Sequence, residues 1–366
     1  MRISISSPRR TLGMREELIS LLERLSTTPG PPGMEDRVRR VIAQELRGHV
    51  DSLEVDALGN LIAVKKGSRP VRVMLDAHMD EVALMVRSLR ADGFLEIVPL
   101  GGLDPAVLLA QRVVVHARSG DLPGVLGAKP RHVMTEEELK SRPKFDELYV
   151  DVGARSREEL EALGVRPGDF ITFDVPFRRF GDAVIGKAFD DRMGCLVAIE
   201  ALKDLPEDSP TVVAAFTVQE EQGLRGAGVA AYRINPDVAF ALEGTIADDT
   251  PGVPEGKRVT RLGGGPAIRV MDRSMLTQRL VLEHMIRVAE GAGVRYQLQL
   301  SPRSGTDAGR IHLTREGIPT GVVSVPVRYI HTPSSLALIS DVEETVRYVT
   351  HLLGSIRSAE QFRPSI

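Results

Sequence analysis

Cysteine and aromatic residues are scarce in this chain. Cys195 is the one cysteine among 366 residues, so an internal disulfide cannot form, and this usage is typical of a reducing cytoplasm. Tryptophan is absent, and aromatic residues make up only 4% of the sequence. Carbohydrate hydrolases use a metal-free pair of carboxylates and usually hold sugars against aromatic rings, so the composition argues against an endoglucanase.

Long hydrophobic runs and strong net charge are also missing. No apolar run approaches the ~20 residues that cross a bilayer. Met1 to Gly13 has basic residues but lacks the apolar stretch of a secretory signal. The net charge of -3 argues against nucleic acid or an anionic membrane as the main partner. We therefore expect a cytoplasmic protein with neither a nucleic-acid nor a membrane partner.

The pattern of apolar residues predicts an α/β fold with a β-rich insertion. From Asp51 onwards short strands alternate with helices, which is typical of a sheet with helices on both faces. Between about Val82 and Gly181 the pattern changes to short β-rich pieces broken by Gly and Pro. We expect a main domain of residues 1–81 and 182–366, with a small β-barrel-like domain of residues 82–181 inserted into it.

Five short motifs carry the polar residues of interest. Each comes where a hydrophobic strand is predicted to end, which is where an open α/β sheet places its chemistry. The motifs are AHMDE (Ala77 to Glu81), FDDR (Phe189 to Arg192), QEE (Gln219 to Glu221), ALEG (Ala241 to Gly244) and YIH (Tyr329 to His331).

The first motif places a histidine and a carboxylate on one side of an extended chain. His78 and Asp80 are two residues apart after the buried strand Val71 to Ala77, so their side chains point the same way. A histidine that binds metal through one nitrogen usually donates its other N–H to a carboxylate. Taken alone, this motif favours a strand-end turn whose polar residues are solvated.

Two pairs of adjacent acids strengthen the metal interpretation. Asp190 and Asp191 follow one strand, and Glu220 and Glu221 end another that is rich in β-branched residues. Neighbouring buried carboxylates are costly unless a cation or a proton compensates them. Asp191 has an alternative role as a helix N-cap.

The remaining motifs add one acid and one histidine, Glu243 and His331. Two histidines and several carboxylates together form a nitrogen- and oxygen-rich cluster, which suits zinc, cobalt or manganese rather than a thiolate site.

With these motifs in this order, the chain resembles the tetrahedral, dodecameric metalloaminopeptidases. This is the glutamyl aminopeptidase family, which includes deblocking aminopeptidases and proteins labelled endoglucanases. The resemblance covers nearly the whole chain after Met14 and extends to further segments. These are Pro32 to Glu35, Asp56 with Gly59 to Leu61, Asp151 to Gly153, Lys187, Thr217, Gly223 to Ala227, Gly263 to Pro266, Gly305 to Ala308 and Arg328.

The resemblance implies a role for each motif residue. His78 would bind one metal and His331 the other, with Asp190 bridging. It also implies a cis peptide bond between Asp190 and Asp191. We allocate Glu221 to the ion of His78 and Glu243 to the other ion.

The remaining implied roles concern proton transfer. Glu220 would be the general base, and Asp80 would orient the ring of His78. Two positions depart from the family pattern, because Glu243 stands where Asp is more frequent and Gln222 replaces a commonly apolar residue.

The implied fold is a phosphorylase/hydrolase-like zinc-peptidase sheet, with the inserted domain serving dimerisation or oligomerisation. The implied activity is removal of N-terminal residues from short peptides, with two divalent ions per subunit (zinc or cobalt, possibly manganese) and metal-activated water. The implied assembly is a homo-oligomer, a dodecamer built from dimers.

Other functions remain open at this point. A metallo-carboxypeptidase or a deacylase could use the same two metals. An endoglucanase and a non-enzymatic assembly protein fit the residues less well.

Overall fold

The computed structural model describes residues 8–127 and 129–365. The helices are α1 (Pro8–Thr27), α2 (Asp36–Leu46), α3 (Arg157–Ala162), α4 (Phe189–Lys203), α5 (Arg225–Ile234), α6 (Arg279–Gly291), α7 (Ala308–Ile311) and α8 (Ile339–Ser355). The strands are β1 (Ser52–Val55), β2 (Leu61–Lys65), β3 (Arg69–His78), β4 (Ala83–Leu89), β5 (Phe94–Leu100), β6 (Arg112–Ala117), β7 (Gly120–Leu126), β8 (Tyr149–Asp151), β9 (Phe170–Phe173), β10 (Arg178–Phe180), β11 (Ala183–Gly186), β12 (Pro210–Thr217), β13 (Val238–Ile246), β14 (Ala267–Asp272), β15 (Gln297–Ser301), β16 (Thr320–Val327) and β17 (Ser335–Leu338).

An eight-stranded sheet forms the centre of the molecule, in the order β1-β2-β12-β3-β13-β16-β14-β15. The four central strands β12, β3, β13 and β16 are mutually parallel. Their residues are almost all buried, as expected for parallel strands that are covered on both faces. Because the strands are parallel, their carboxyl ends meet at one edge of the sheet.

Helices cover both faces of this sheet, as predicted. On one face, α4 packs against β3 and β13 and shares the largest hydrophobic core with α1, α2, α6 and α8; Leu22, Val197 and Val349 are examples of its fully buried residues. On the other face, α5 and α7 pack on Met74 and on smaller apolar residues of the central strands. The helices fix the strand ends between two apolar layers.

The inserted segment forms a closed six-stranded barrel, in the order β4-β5-β8-β7-β6-β9. It has its own apolar core, which includes Leu95, Val115 and Ile171. This confirms the prediction of an α/β fold that carries a β-barrel. A small sheet of β10, β11 and β17 lies outside both.

One strand boundary differs from the prediction. Glu243 was expected to follow the end of a strand, but β13 continues through it to Ile246, and Glu243 pairs with Ser324 of β16. A charged residue followed by Gly244 is typical of a strand end, yet here the parallel ladder to β16 continues. Glu243 is therefore held on a rigid strand rather than on a loop.

Within residues 8–127 and 129–365, every helix is too short or too polar to cross a bilayer.

Candidate metal centre

The first side chains of the candidate site come from the carboxyl end of β3. His78 ends this strand and Asp80 follows it, and both are almost fully buried. Nδ1 of His78 lies 3.2 Å from the main-chain oxygen of Asp80 and 3.6 Å from its Oδ1. Because Asp80 occupies the Nδ1 side of the ring, Nε2 is the nitrogen that faces the other acids.

Asp190 lies between the two motif histidines. Its Oδ1 is 3.4 Å from Nε2 of His78, and its Oδ2 is 3.4 Å from Nε2 of His331. The Asp190–Asp191 peptide bond is cis, as the resemblance implied. One carboxylate thus presents one oxygen to each histidine, which is the arrangement that a bridging ligand requires.

The two glutamates divide between the histidines in the opposite way to our allocation from sequence. Oε2 of Glu243 is 3.8 Å from Nε2 of His78, whereas Oε1 of Glu221 is 3.5 Å from Nε2 of His331. Strand order places Glu243 beside His78. β13 lies directly beside β3, with Ala241 paired to Asp76, so Glu243 lies level with His78.

The QEE segment follows β12 and is held by its backbone. Main-chain N–H groups of Glu220 and Glu221 donate to Oδ1 and Oδ2 of Asp80, each at 3.0 Å. Gln219 adopts a left-handed conformation with φ of 57°, which is uncommon outside glycine. Oε2 of Glu220 lies 4.0 Å from Nε2 of His78, at the margin of the cluster.

The barrel contributes to the same site. Nδ1 of His331 lies 2.8 Å from the carbonyl oxygen of Gly102, in the loop after β5, so this nitrogen donates and Nε2 is left to face Asp190 and Glu221. A Cβ at the neighbouring Gly101 would lie only 2.8 Å from Oε2 of Glu221. The main sheet and the barrel therefore share one centre.

Burial and mutual repulsion set the charges of the cluster. Burial opposes ionisation of Asp190, but the two histidine rings beside its carboxylate hold its pKa well below the ordinary range. Burial raises the pKa of Glu221 to about 7 and that of Glu220 well above its ordinary value. Burial would lower the pKa of His331, but the charges of Glu221 and Asp190 raise it to about 10. The centre thus strongly favours the binding of a positively charged group.

The donor set fits divalent cations. Oδ1 of Asp190 is buried and has no hydrogen-bond partner in the described structure. Two groups of described residues have ligand atoms that all lie within 4.8 Å of one another: His78 with Asp190 and Glu221, and His78 with Asp191 and Glu243. Imidazole nitrogens and carboxylate oxygens suit zinc, cobalt and manganese.

Asp191 was considered from sequence as a helix N-cap, and the structure gives it that contact. Its Oδ1 accepts from the main-chain N–H of Gly194 at 2.8 Å, while its Oδ2 accepts from that of His78 at 3.1 Å. Both oxygens already accept hydrogen bonds, so Asp191 is less suited than Asp190 to bind an ion. It instead ties the start of α4 to the end of β3.

Sequence reasoning missed Asp76, one member of a buried acid pair beside the centre. Asp76 and Asp307 are almost fully buried, and neither oxygen of Asp76 has a hydrogen-bond partner among the described residues. Burial, followed by the charge of Asp307, raises the pKa of Asp76 well above its ordinary value. One sequence signal existed, namely an acid inside an apolar strand two residues before His78.

Glu81 of the first motif is engaged elsewhere. Its carboxylate accepts from Lys187 at 2.6 Å and from the main chain of Gly30 at 2.9 Å, with Arg192 at 3.4 Å. These contacts neutralise Glu81 behind the site, so it is not available as a ligand.

Comparisons with known proteins agree with this geometry. A profile described as M42 glutamyl aminopeptidase matches residues 59–348. A lysyl aminopeptidase of Pyrococcus furiosus is 36% identical over 341 residues, covering 92% of this chain and 97% of that protein. The structure of an aminopeptidase from the archaeon Desulfurococcus kamchatkensis superimposes with a TM-score of 0.91 at 38% identity, covering 96% of this chain and 98% of that one. The TET1 peptidase of Pyrococcus horikoshii can assemble into a tetrahedron or a large octahedral shell. Its structure superimposes with a TM-score of 0.83 at 34% identity, covering 93% of this chain and 100% of that one.

Proposed function

Because the chain belongs to the M42 glutamyl aminopeptidase family and is a peptide hydrolase, we propose that it is a dinuclear metal-dependent aminopeptidase that removes N-terminal residues from short peptides. Support for the dinuclear site comes from the pairing of two histidines across a single carboxylate.

The metal-binding residues divide into two sets around that carboxylate. His78 and Glu243 would hold one divalent ion, and His331 and Glu221 the other, with Asp190 between them. The observation that carries this assignment is the equal distance of 3.4 Å from each Asp190 oxygen to Nε2 of a different histidine. When bound, two such ions polarise the scissile carbonyl and lower the pKa of water from about 15.7 towards ~7. Zinc, cobalt and manganese suit these donors.

Glu220 is the residue that we assign to proton transfer. Its carboxylate lies beside the ligands but 4.0 Å from the nearest histidine nitrogen, and its backbone is held by Asp80. A carboxylate in this position can accept a proton from the attacking water and donate it to the leaving amine as the C–N bond breaks. Asp80 acts indirectly, through the QEE backbone and the ring of His78.

We infer the end of the peptide that is attacked from the matched relatives, which are aminopeptidases. A free α-ammonium group would be held by acidic side chains that remain beside the two ions. Acetylating the peptide N-terminus removes a charged hydrogen bond worth ~1.5–3 kcal/mol, so turnover should fall at least roughly tenfold.

The test is the hydrolysis of one short peptide in free, N-acetylated and C-amidated forms by the metal-loaded enzyme. We expect the free and C-amidated forms to be cleaved and the acetylated form to be poor. Loss of activity on C-amidation but not on acetylation would show a carboxypeptidase, and preferred cleavage of the acetyl group itself would show a deacylase.

An endoglucanase is the least supported alternative. The family of the chain and the absence of tryptophan both argue against it. Incubation with a soluble cellulose derivative would release no reducing sugar if the proposal is right.

We also propose that the chain forms a homo-oligomer, a dodecamer built from dimers, with the barrel segment of residues 82–181 serving dimerisation. The assembly described for the Pyrococcus horikoshii TET1 peptidase supports this proposal. A cage of this kind would admit peptides and exclude folded proteins.

A further inference from the structure

Glu35 is a buried carboxylate that the account of the metal centre leaves unused. It directly precedes α2 and is 4% exposed. Its Oε1 accepts from the main-chain N–H of Gly33 at 2.7 Å and from that of Gln219 at 3.2 Å. The second contact joins residues 184 positions apart and ends on the first residue of the QEE segment.

The contact completes a row of three consecutive N–H groups. Gln219 donates to Glu35, while Glu220 and Glu221 donate to the two oxygens of Asp80. Two buried carboxylates from different segments therefore hold this short stretch of backbone from opposite ends. The stretch needs such support because Gln219 has a φ of 57°, a conformation that is strained for a residue other than glycine.

We propose that Glu35 is a positioning residue that holds the backbone of Gln219 and thereby sets the side-chain direction of Glu220. This inference rests on the proposed role of Glu220 as the general base.

The effect of Glu35 should fall on Glu220 more than on Glu221. The side chain of Glu221 has further neighbours that fix it, namely His331 and the backbone at Gly101. Among the described residues, the side chain of Glu220 has one ion-pair neighbour, His78. Loss of the Gln219 contact should therefore reduce turnover while the metal ligands stay in place.

The role also predicts which property of Glu35 matters. Burial, followed by the charge of Asp80, raises the pKa of Glu35 to about 7, and either protonation state retains a carbonyl-type oxygen that accepts N–H bonds. The length of the Glu35 side chain should therefore matter more than its charge. Glu35→Gln keeps the side-chain length and removes the charge, whereas Glu35→Asp keeps the charge and shortens the side chain.

The experiment compares Glu35→Gln, Glu35→Asp and Glu35→Ala for kcat, KM, metal content and melting temperature. We expect Glu35→Gln to stay within about threefold of wild-type kcat. We expect Glu35→Asp and Glu35→Ala to lose about 10- to 100-fold, as small misplacements of a reacting group do, with KM and metal content unchanged.

Asp341 provides the matched control. It is 2% exposed and also accepts two main-chain N–H bonds, from Gly263 at 2.7 Å and Gly265 at 2.9 Å, but none of its recorded contacts is with a residue of the centre. Asp341→Ala should lower the melting temperature as Glu35→Ala does, without lowering kcat per folded molecule.

A double-mutant cycle with Glu220→Gln separates the two proposals. If Glu35 acts through Glu220, adding Glu35→Asp to Glu220→Gln should cause little further loss of kcat. Wild-type kcat in Glu220→Gln alone would refute the general-base assignment. A slow Glu220→Gln enzyme together with an unaffected Glu35→Asp enzyme would refute the positioning role only. Equal loss in Glu35→Gln and Glu35→Asp, or loss of metal from Glu35→Asp, would also overturn it.

Discussion

Adjacent glutamates after β12 meet different partners, and this difference gives a sharp test. Glu220→Gln should keep metal content while lowering kcat by at least ~10²-fold, because a lost general base costs that much. Glu221→Gln should instead weaken metal binding, since its carboxylate faces Nε2 of His331 at 3.5 Å. Metal analysis and steady-state kinetics on the same preparations distinguish the two. Identical behaviour of the two variants would show that the roles within the pair are wrongly assigned.

At the scale of single residues, the sequence identified which side chains meet but not how they pair. The structure brings His78, Asp190, Glu221, Glu243 and His331 together, although their roles as ligands stay a prediction. The nearness of Glu243 to His78 could not be predicted, because it depends on β13 lying beside β3 in the sheet. Strand order is set by long-range pairing, which short motifs do not encode.

Between elements, the loop after β5 ties the barrel to the metal centre. A Cβ at Gly101 would lie 2.8 Å from Oε2 of Glu221 and 2.9 Å from Val82, and Gly101 has a φ of 84°. Gly101→Ala should therefore displace Glu221 and weaken the affinity for one of the two ions, measured by metal titration. Gly153→Ala is the control, because Gly153 has a similar φ of 82° in the barrel but its Cβ would meet nothing within 4 Å. Equal effects of both substitutions would mean that only backbone strain matters.

A second link, between the barrel and helix α2, predicts a dependence on pH. Arg37 of α2 donates to both oxygens of Asp121 on β7. This contact lowers the pKa of Asp121 to about 2, with a further contribution from His116, although burial acts to raise it. A depressed pKa in the folded state means that the stabilisation is present above the unfolded value near 3.8 and is lost as pH falls towards 2.

The measurable effect is small, because both side chains are more than one-third exposed and such bridges contribute about 0–1 kcal/mol. Asp121→Asn should unfold at a lower temperature than wild type at pH 6, and the difference should shrink between about pH 4 and pH 2. A difference that grows on acidification would contradict this.

Element boundaries were predictable where the apolar pattern was unbroken and not elsewhere. Val113, Val114 and Val115 form an unbroken β-branched run, and the strand β6 spans Arg112–Ala117 around it. The strand β7 was not predicted, because Gly120, Pro123 and Gly124 interrupt its sequence. It exists because β6 and β8 pair with it on either side to close the barrel. Such tertiary pairing outweighs local preference.

At the scale of the whole molecule, assembly is the property to measure. The proposed dodecamer should scatter light as a particle of twelve chain masses at working concentration. A monomer would contradict the proposal, and a stable dimer would leave only the dimerisation step supported. Deleting the barrel is not an adequate test, because Gly101 and Gly102 lie at the metal centre.

The dinuclear site is tested most directly by titrating metal-free enzyme with zinc, cobalt or manganese while both bound ions and peptide hydrolysis are recorded. We predict no hydrolysis without metal, binding that saturates at two ions per chain, and activity restored as the ions bind. Asp190→Ala, which removes the carboxylate between the histidines, should lose both the ions and the activity. Full activity of the metal-free enzyme, or saturation at one ion per chain with full activity, would contradict the account.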